Sequence, residues 1–184
     1  MKGRFINCCI KIMGVATIGI MCHSCKPDNL KQGAVKEYFD IKGYFEKNAA
    51  RLKKQHPAIT KTVVHNGTSE TKKVEISNWG EELALFIESD INKPAWSGSY
   101  AKQDSAGAII YVANDAELKT RRITIDKAKD GHIKQIAIYN QISNALYNTR
   151  ETLKYFADSA YTIEKYQKVK LLGANSYKVT GKFN

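Results

Sequence analysis

Cysteine runs out early in this chain. All four, Cys8, Cys9, Cys22 and Cys25, lie in the first 25 residues, and none follows. Everything after Cys25 is therefore without disulfides and without thiol chemistry. A long hydrophobic run is missing too. The best stretch, Ile12 to Met21, would span about 15 Å as a helix, half of a ~30 Å hydrocarbon core, which makes a poor permanent membrane span. The linear signatures of catalysis are also absent: no His-Glu-x-x-His, no Gly-x-Ser-x-Gly, no phosphate-cradling glycine loop. Beyond residue 25 the histidines are His56, His65 and His132, at no metal-ligand spacing, so neither a metal nor another cofactor is expected. The acids that cluster, Glu81, Glu82, Glu88 and Asp90, fall on one predicted helix, where capping explains Glu81 and an exposed face explains the others. A non-catalytic protein is the expectation. An envelope hydrolase stays open as an alternative, because two acids, or a Ser and a His, drawn together from distant strands leave no linear motif.

What is present begins at the N-terminus. Lys2, Arg4 and Lys11 form a basic head before the apolar run, which is signal-peptide architecture. The run Met21-Cys22-His23-Ser24-Cys25-Lys26 follows. It resembles a lipobox, in the relaxed Ser-Cys form of Bacteroidota lipoproteins, with Ser24 as the small residue before the cut and Cys22 where Leu is usual. The resemblance implies that residues 1–24 are a signal peptide and that Cys25 is the lipidated residue. It also implies export to the cell envelope, at the outer membrane facing the periplasm or on the surface. One acyl chain binds a membrane only marginally, whereas several hold essentially permanently. The alternative, Cys22, His23 and Cys25 as a metal knuckle, lacks a second ligand pair. Residues 25–35, with Pro27 and Gly33, read as a flexible tether, and residues 36–184 as a single domain.

Charge narrows the partners. Removing Lys2, Arg4 and Lys11 with the leader takes the formal charge from +11 to +8. Such a balance suits nucleic acid, anionic lipid or acidic glycan, and export argues against nucleic acid. The basic residues are scattered, with Lys53-Lys54, Lys72-Lys73 and Arg121-Arg122 the densest pairs, as on a solvated surface.

The pattern along the domain is α+β, with two helices packed on a curved antiparallel meander resembling a half-barrel. Ile41, Phe45, Ala49 and Leu52 predict a helix from about Glu37 to Gln55, which Pro57 ends. Asn66-Gly67 between 58–65 and 68–76 predicts a hairpin. Asn78 with Glu81 forms a capping box, and Trp79, Leu83, Phe86 and Ile87 give a second helix ending near Ser89. From Tyr100 onward the reading is all strand: 99–103, 108–113, 118–126, 132–143, 145–156, 160–171 and 176–182, with Gly173-Ala174-Asn175 as the last turn.

Four aromatics stand out as contacts for a ligand or partner: Trp96, in a predicted loop, and Tyr147, Tyr155 and Tyr166 in the strands. Tyrosine is also simply a good strand former. Asp104-Ser105-Ala106 and Asp158-Ser159-Ala160 resemble an O-glycosylation sequon of exported Bacteroidota proteins, which would place glycans on Ser105 and Ser159. The sum is an envelope lipoprotein that binds a hydrophobic or glycan ligand as carrier or sensor. The alternative is a structural subunit docking on another envelope protein through the 58–76 hairpin or Trp96. A carrier needs an unfilled apolar cavity, whereas a docking module has a filled core and an exposed apolar patch.

Overall fold

A computed structural model of the chain describes residues 36–184. The expected leader, Cys25 and the expected tether lie outside the described residues. Helix α1 spans Ile41–Gln55, strands β1 and β2 span Ala58–His65 and Thr68–Glu75, and two short helices follow, α2 at Trp79–Glu82 and α3 at Ala84–Glu88. After a 3-10 turn at Pro94–Trp96 come β3 Tyr100–Ser105, β4 Ala108–Ala113, β5 Thr120–Lys127, β6 Ile133–Ser143, β7 Tyr147–Phe156, β8 Ala160–Val169 and β9 Gly173–Phe183.

All nine strands join one antiparallel sheet in the order β2-β1-β9-β8-β7-β6-β5-β4-β3. The protein is thus broadly α+β but mostly β. The sheet is not closed, and β2 and β3 are its free edges. The meander from β3 to β9 follows from short turns, since antiparallel neighbours need only a few linking residues. The hairpin β1-β2 then adds to the far side of β9, through pairs such as Val63 with Val179.

Local chemistry sets the element ends. Helix α1 begins at Ile41 rather than near Glu37, because the Asp40 side chain accepts from the Gly43 amide at 2.8 Å and caps the first turn. Gly43 lacks a Cβ where the Asp40 carboxylate lies, so a helix-weakening residue allows the cap to fold over. Four α1 residues are buried, Ile41, Phe45, Ala49 and Leu52, the stripe the periodicity selected. The Asn78 side chain caps α2 through the Glu81 amide at 3.2 Å. The single helix expected over 78–89 is instead broken at Leu83. Glu82, at the end of the first piece, is held by Tyr161 of β8 at 2.5 Å and by Lys61 of β1 at 2.8 Å.

The last turn also differs from expectation. It is Lys170-Leu171-Leu172, and Gly173, with φ of 86°, opens β9 instead of beginning the turn. Gly173 pairs with Val169 to close the three-residue loop, and its positive φ is a conformation that glycine adopts without strain.

The core gathers around aromatics. Phe45 lies 4.7 Å from Phe86 and 5.2 Å from Tyr155, ring centroid to centroid, and Trp79 stacks on Phe183 at 5.7 Å. Ile123, Ile125, Ile136, Ile138 and Leu153 complete it from the strands, all fully or almost fully buried. Fully burying such side chains contributes about 1.5–3 kcal/mol each.

Candidate functional site

Strand residues alternate between two sides, and here the two sides differ sharply. On β7, Thr149, Glu151, Leu153 and Tyr155 are buried, while Arg150 and Lys154 between them are exposed. On β8, Tyr161 and Ile163 are buried and Glu164 and Lys168 are exposed. The second set of positions defines an open face of the sheet.

Register assembles that face into rows. Arg122, Tyr139, Thr152, Glu164, Lys178 and Val64 stand side by side from β5 to β1. The next row places Gln141, Arg150, Tyr166 and Ser176 together. On the other side of the first row, Thr162, Thr180, Thr62 and Thr71 align across four strands, with the Thr62 and Thr71 hydroxyls 2.8 Å apart. The result is a basic strip with a hydroxyl row beside it.

Two depressions share the centre of this strip. One, of about 430 Å³, is lined by Tyr139, Arg150, Thr152, Tyr166 and Lys178 among others. The second, of about 380 Å³, is bounded by Gln141, Asn148, Arg150, Tyr166 and Lys168. Arg150 and Tyr166 belong to both, and the guanidinium carbon lies 5.1 Å from the Tyr166 ring centroid. Such a pair offers a stacking surface and up to five N–H donors at one point. Glu164 is paired to Lys178 at 2.8 Å, whereas Arg150 and Lys168 have no carboxylate partner among the described residues. Tyr139 donates its hydroxyl to Gln141 at 3.2 Å, which ties its side chain to the row that holds Arg150 and Tyr166. The strip is therefore suited to an anionic, hydroxyl-rich ligand.

Of the four aromatic contact candidates, the structure brings only Tyr166 to this strip. Tyr155 is fully buried, and burial together with the nearby Tyr44 pushes its hydroxyl pKa up to about 12. Tyr147 is half-buried, on the same set of β7 positions as Leu153 and Tyr155. Trp96 lies in the 3-10 turn, half-buried, with Lys93 Nζ 4.1 Å from its ring. Ser105 ends β3 and Ser159 sits on the β7–β8 turn, both exposed and both at the same end of the sheet. Arg150 and Tyr139 carry the site and were not selected from sequence. Tyr166 and Lys168 share a strand face in any alternating reading, but Arg150 joins them only once the β7–β8 register is known.

Elsewhere, Glu151 is a buried carboxylate, held by Lys165 at 3.2 Å and by the Asn140 side-chain amide at 3.3 Å. Among the described residues, neither a second acid nor a histidine is hydrogen-bonded to it. Among the described residues, no three His, Cys, Asp or Glu side chains are grouped to hold a metal ion. None of the described helices is long and apolar enough to cross a membrane. The sequence matches no protein-family model and no curated protein.

Proposed function

We propose that this chain is an envelope lipoprotein, anchored through Cys25, whose domain is a non-catalytic binding module for an acidic glycan. The ligand lies on the open face of the sheet, over the Arg150–Tyr166 pair. The observation that carries this reading is the exposed Arg150 guanidinium, without a carboxylate partner among the described residues, set beside an aromatic ring in a groove shared by two depressions. Sugars present both a stackable face and hydroxyls, and a uronate adds the carboxylate that a guanidinium binds with two parallel hydrogen bonds. The threonine row beside the groove supplies hydroxyl partners for a longer chain.

In this reading the helices close one face of a curved sheet and leave the other for the ligand. The close aromatic contacts of Phe45, Phe86 and Tyr155 favour a surface site over an enclosed cavity of the kind a hydrophobic carrier needs. Docking on another envelope protein has its own support in β2, a free edge strand with nearly every residue exposed. Its charges, among them Lys72 and Lys73, instead suit the protection of an edge from pairing.

Calorimetric titration with a galacturonate oligosaccharide, beside a neutral glucose oligosaccharide of equal length, tests the proposal. The account expects binding of the uronate that weakens as salt is raised, and little binding of the neutral sugar. No uronate binding, or equal binding of both, overturns it.

A further inference from the structure

Turn positions normally go to polar residues and glycine, for reasons of backbone conformation and solvation. Two turns of this sheet break that pattern. Leu171 and Leu172, at the tip between β8 and β9, are 93 % and 87 % exposed, and Leu146, between β6 and β7, is 69 % exposed. Leucines so exposed contribute nothing to the core, and three of them together are unlike the scattered single apolar residues found on any surface. The two turns are joined: the Lys170 amide donates to the Leu146 carbonyl at 3.0 Å. Asn144 shapes the first turn by accepting from the Leu146 and Tyr147 amides, both at 2.9 Å. The leucines therefore form one apolar tip on two hairpins tied by hydrogen bonds.

Charge around the tip indicates its occupant. Lys168 and Lys170 flank the leucines, both exposed and neither in an ion pair among the described residues. The neighbouring β4–β5 turn carries Asp115 and Glu117, which limits the basic surface on that side. Apolar residues with lysines beside them suit the boundary between acyl chains and anionic headgroups, where each nearby lysine adds attraction.

Position agrees with charge. Lys36 to Tyr38, through which the domain connects back to Cys25, lie at the same end of the sheet as the leucines. Glu37 accepts from the Gly98 amide at 3.0 Å, and the Tyr38 hydroxyl accepts from the Tyr100 amide at 3.3 Å, beside the end of β4. In an antiparallel sheet the end of β4, the β6–β7 turn and the β8–β9 turn share one end.

We propose that the turns at 144–146 and 170–172 form a membrane-contacting tip. Leu146, Leu171 and Leu172 enter the interface of an anionic bilayer, and Lys168 and Lys170 meet its phosphate groups. The tip rests on the lipoprotein reading for its orientation, since a Cys25 anchor would hold this end of the domain near the same bilayer.

Because residues 36–184 contain no cysteine, a single thiol can report on each position. The variants Leu172→Cys, Leu146→Cys and, on the turn at the opposite end, Lys129→Cys are labelled with an environment-sensitive fluorophore. Unsubstituted protein labelled in parallel reads any background from leader cysteines. Each is placed in phosphatidylcholine vesicles with and without phosphatidylglycerol. The proposal expects blue-shifted emission at 172 and 146, strongest with phosphatidylglycerol and quenched by nitroxides on the acyl chains, with no shift at 129. Replacing Lys168 and Lys170 by Glu removes the dependence on phosphatidylglycerol. Leu171→Asp with Leu172→Asp abolishes the shift at 146 while leaving the thermal midpoint unchanged, since both leucines are almost fully exposed.

Equal emission at 172 and 129 overturns the proposal. A shift at 172 in native envelopes but not in lipid vesicles also overturns it and assigns the tip to a protein partner. A mass spectrum of the same samples reads acyl chains on Cys25 separately. An acylated chain with an unshifted probe at 172 ends the tip alone, whereas an unacylated chain with a shifted probe supports the tip and ends the anchor.

Discussion

Gly181→Ala is the substitution that probes the packing of this sheet most sharply. Gly181 of β9 sits directly opposite Tyr161 of β8, and the Tyr161 ring lies over it. A methyl group at Gly181 would fall inside the contact surface of the ring, against Cε1 and Cζ. The ring cannot give way cheaply: Tyr161 is fully buried, edge-on to Trp79 at 6.3 Å, and its hydroxyl donates to Glu82 at 2.5 Å. Overpacking costs about 1–3 kcal/mol, and losing a hydrogen bond to a charged group about 1.5–3 kcal/mol. Against this, alanine improves on glycine in a strand by about 0.5–1 kcal/mol. The expected net loss is about 3 kcal/mol, measured by urea unfolding followed through the fluorescence of Trp79. The cycle with Tyr161→Ala isolates the cause. In that background the ring is gone, so Gly181→Ala should be neutral or stabilising by about 0.5–1 kcal/mol. An equal loss in both backgrounds would refute the reasoning.

Alkaline pH should unfold the protein through its buried tyrosines. Burial, followed by the hydrogen bond to Glu82, raises the Tyr161 pKa, and burial chiefly brings Tyr155 to about 12. Both stay neutral in the folded state and ionise near pH 10 when unfolded. Their contribution is therefore complete below about pH 10 and falls by about 1.4 kcal/mol per pH unit per tyrosine above it. Thermal midpoints between pH 9 and 11 should drop accordingly, and less steeply in Tyr155→Phe; a flat profile contradicts the assignment. Asn66→Ala should cost about 1–2 kcal/mol in chemical unfolding, because Asn66 adopts φ of 48° and accepts from the Ser176 amide at 2.8 Å, tying the hairpin to β9. Asn66→Gly loses the same hydrogen bond but keeps the backbone conformation and should cost less, and the reverse order would contradict the role given to the positive φ.

Much of the fold is legible in the sequence where a feature is local. Asn66-Gly67 gives the hairpin and its register, Asn78 with Glu81 gives the cap of α2, and the Ile41, Phe45, Ala49, Leu52 stripe gives the buried side of α1. Long-range pairing is where legibility ends. Nothing near β1 announces that it pairs with β9, and that pairing brings Lys61 to the Glu82 that also binds Tyr161. The break at Leu83 comes directly after this contact and is invisible in a helical periodicity. The tip was hidden by a reasonable rule, since Gly173-Ala174-Asn175 has better turn chemistry than Lys170-Leu171-Leu172. In the candidate strip, Tyr166 was legible as an outward aromatic, but Arg150 reaches it only through the β7–β8 register.

The central claim is that the open face of the sheet, at Arg150 and Tyr166, binds an anionic sugar. The most direct measurement is the affinity of Arg150→Ala for a galacturonate oligosaccharide, beside Lys129→Ala, which removes the same charge from the far end of the sheet. Losing a charge-assisted contact of about 1.5–3 kcal/mol should weaken binding about tenfold or more in Arg150→Ala, while Lys129→Ala stays close to the unsubstituted protein. Equal affinities in the two variants would contradict the account, because the interaction would then follow net charge and not this site.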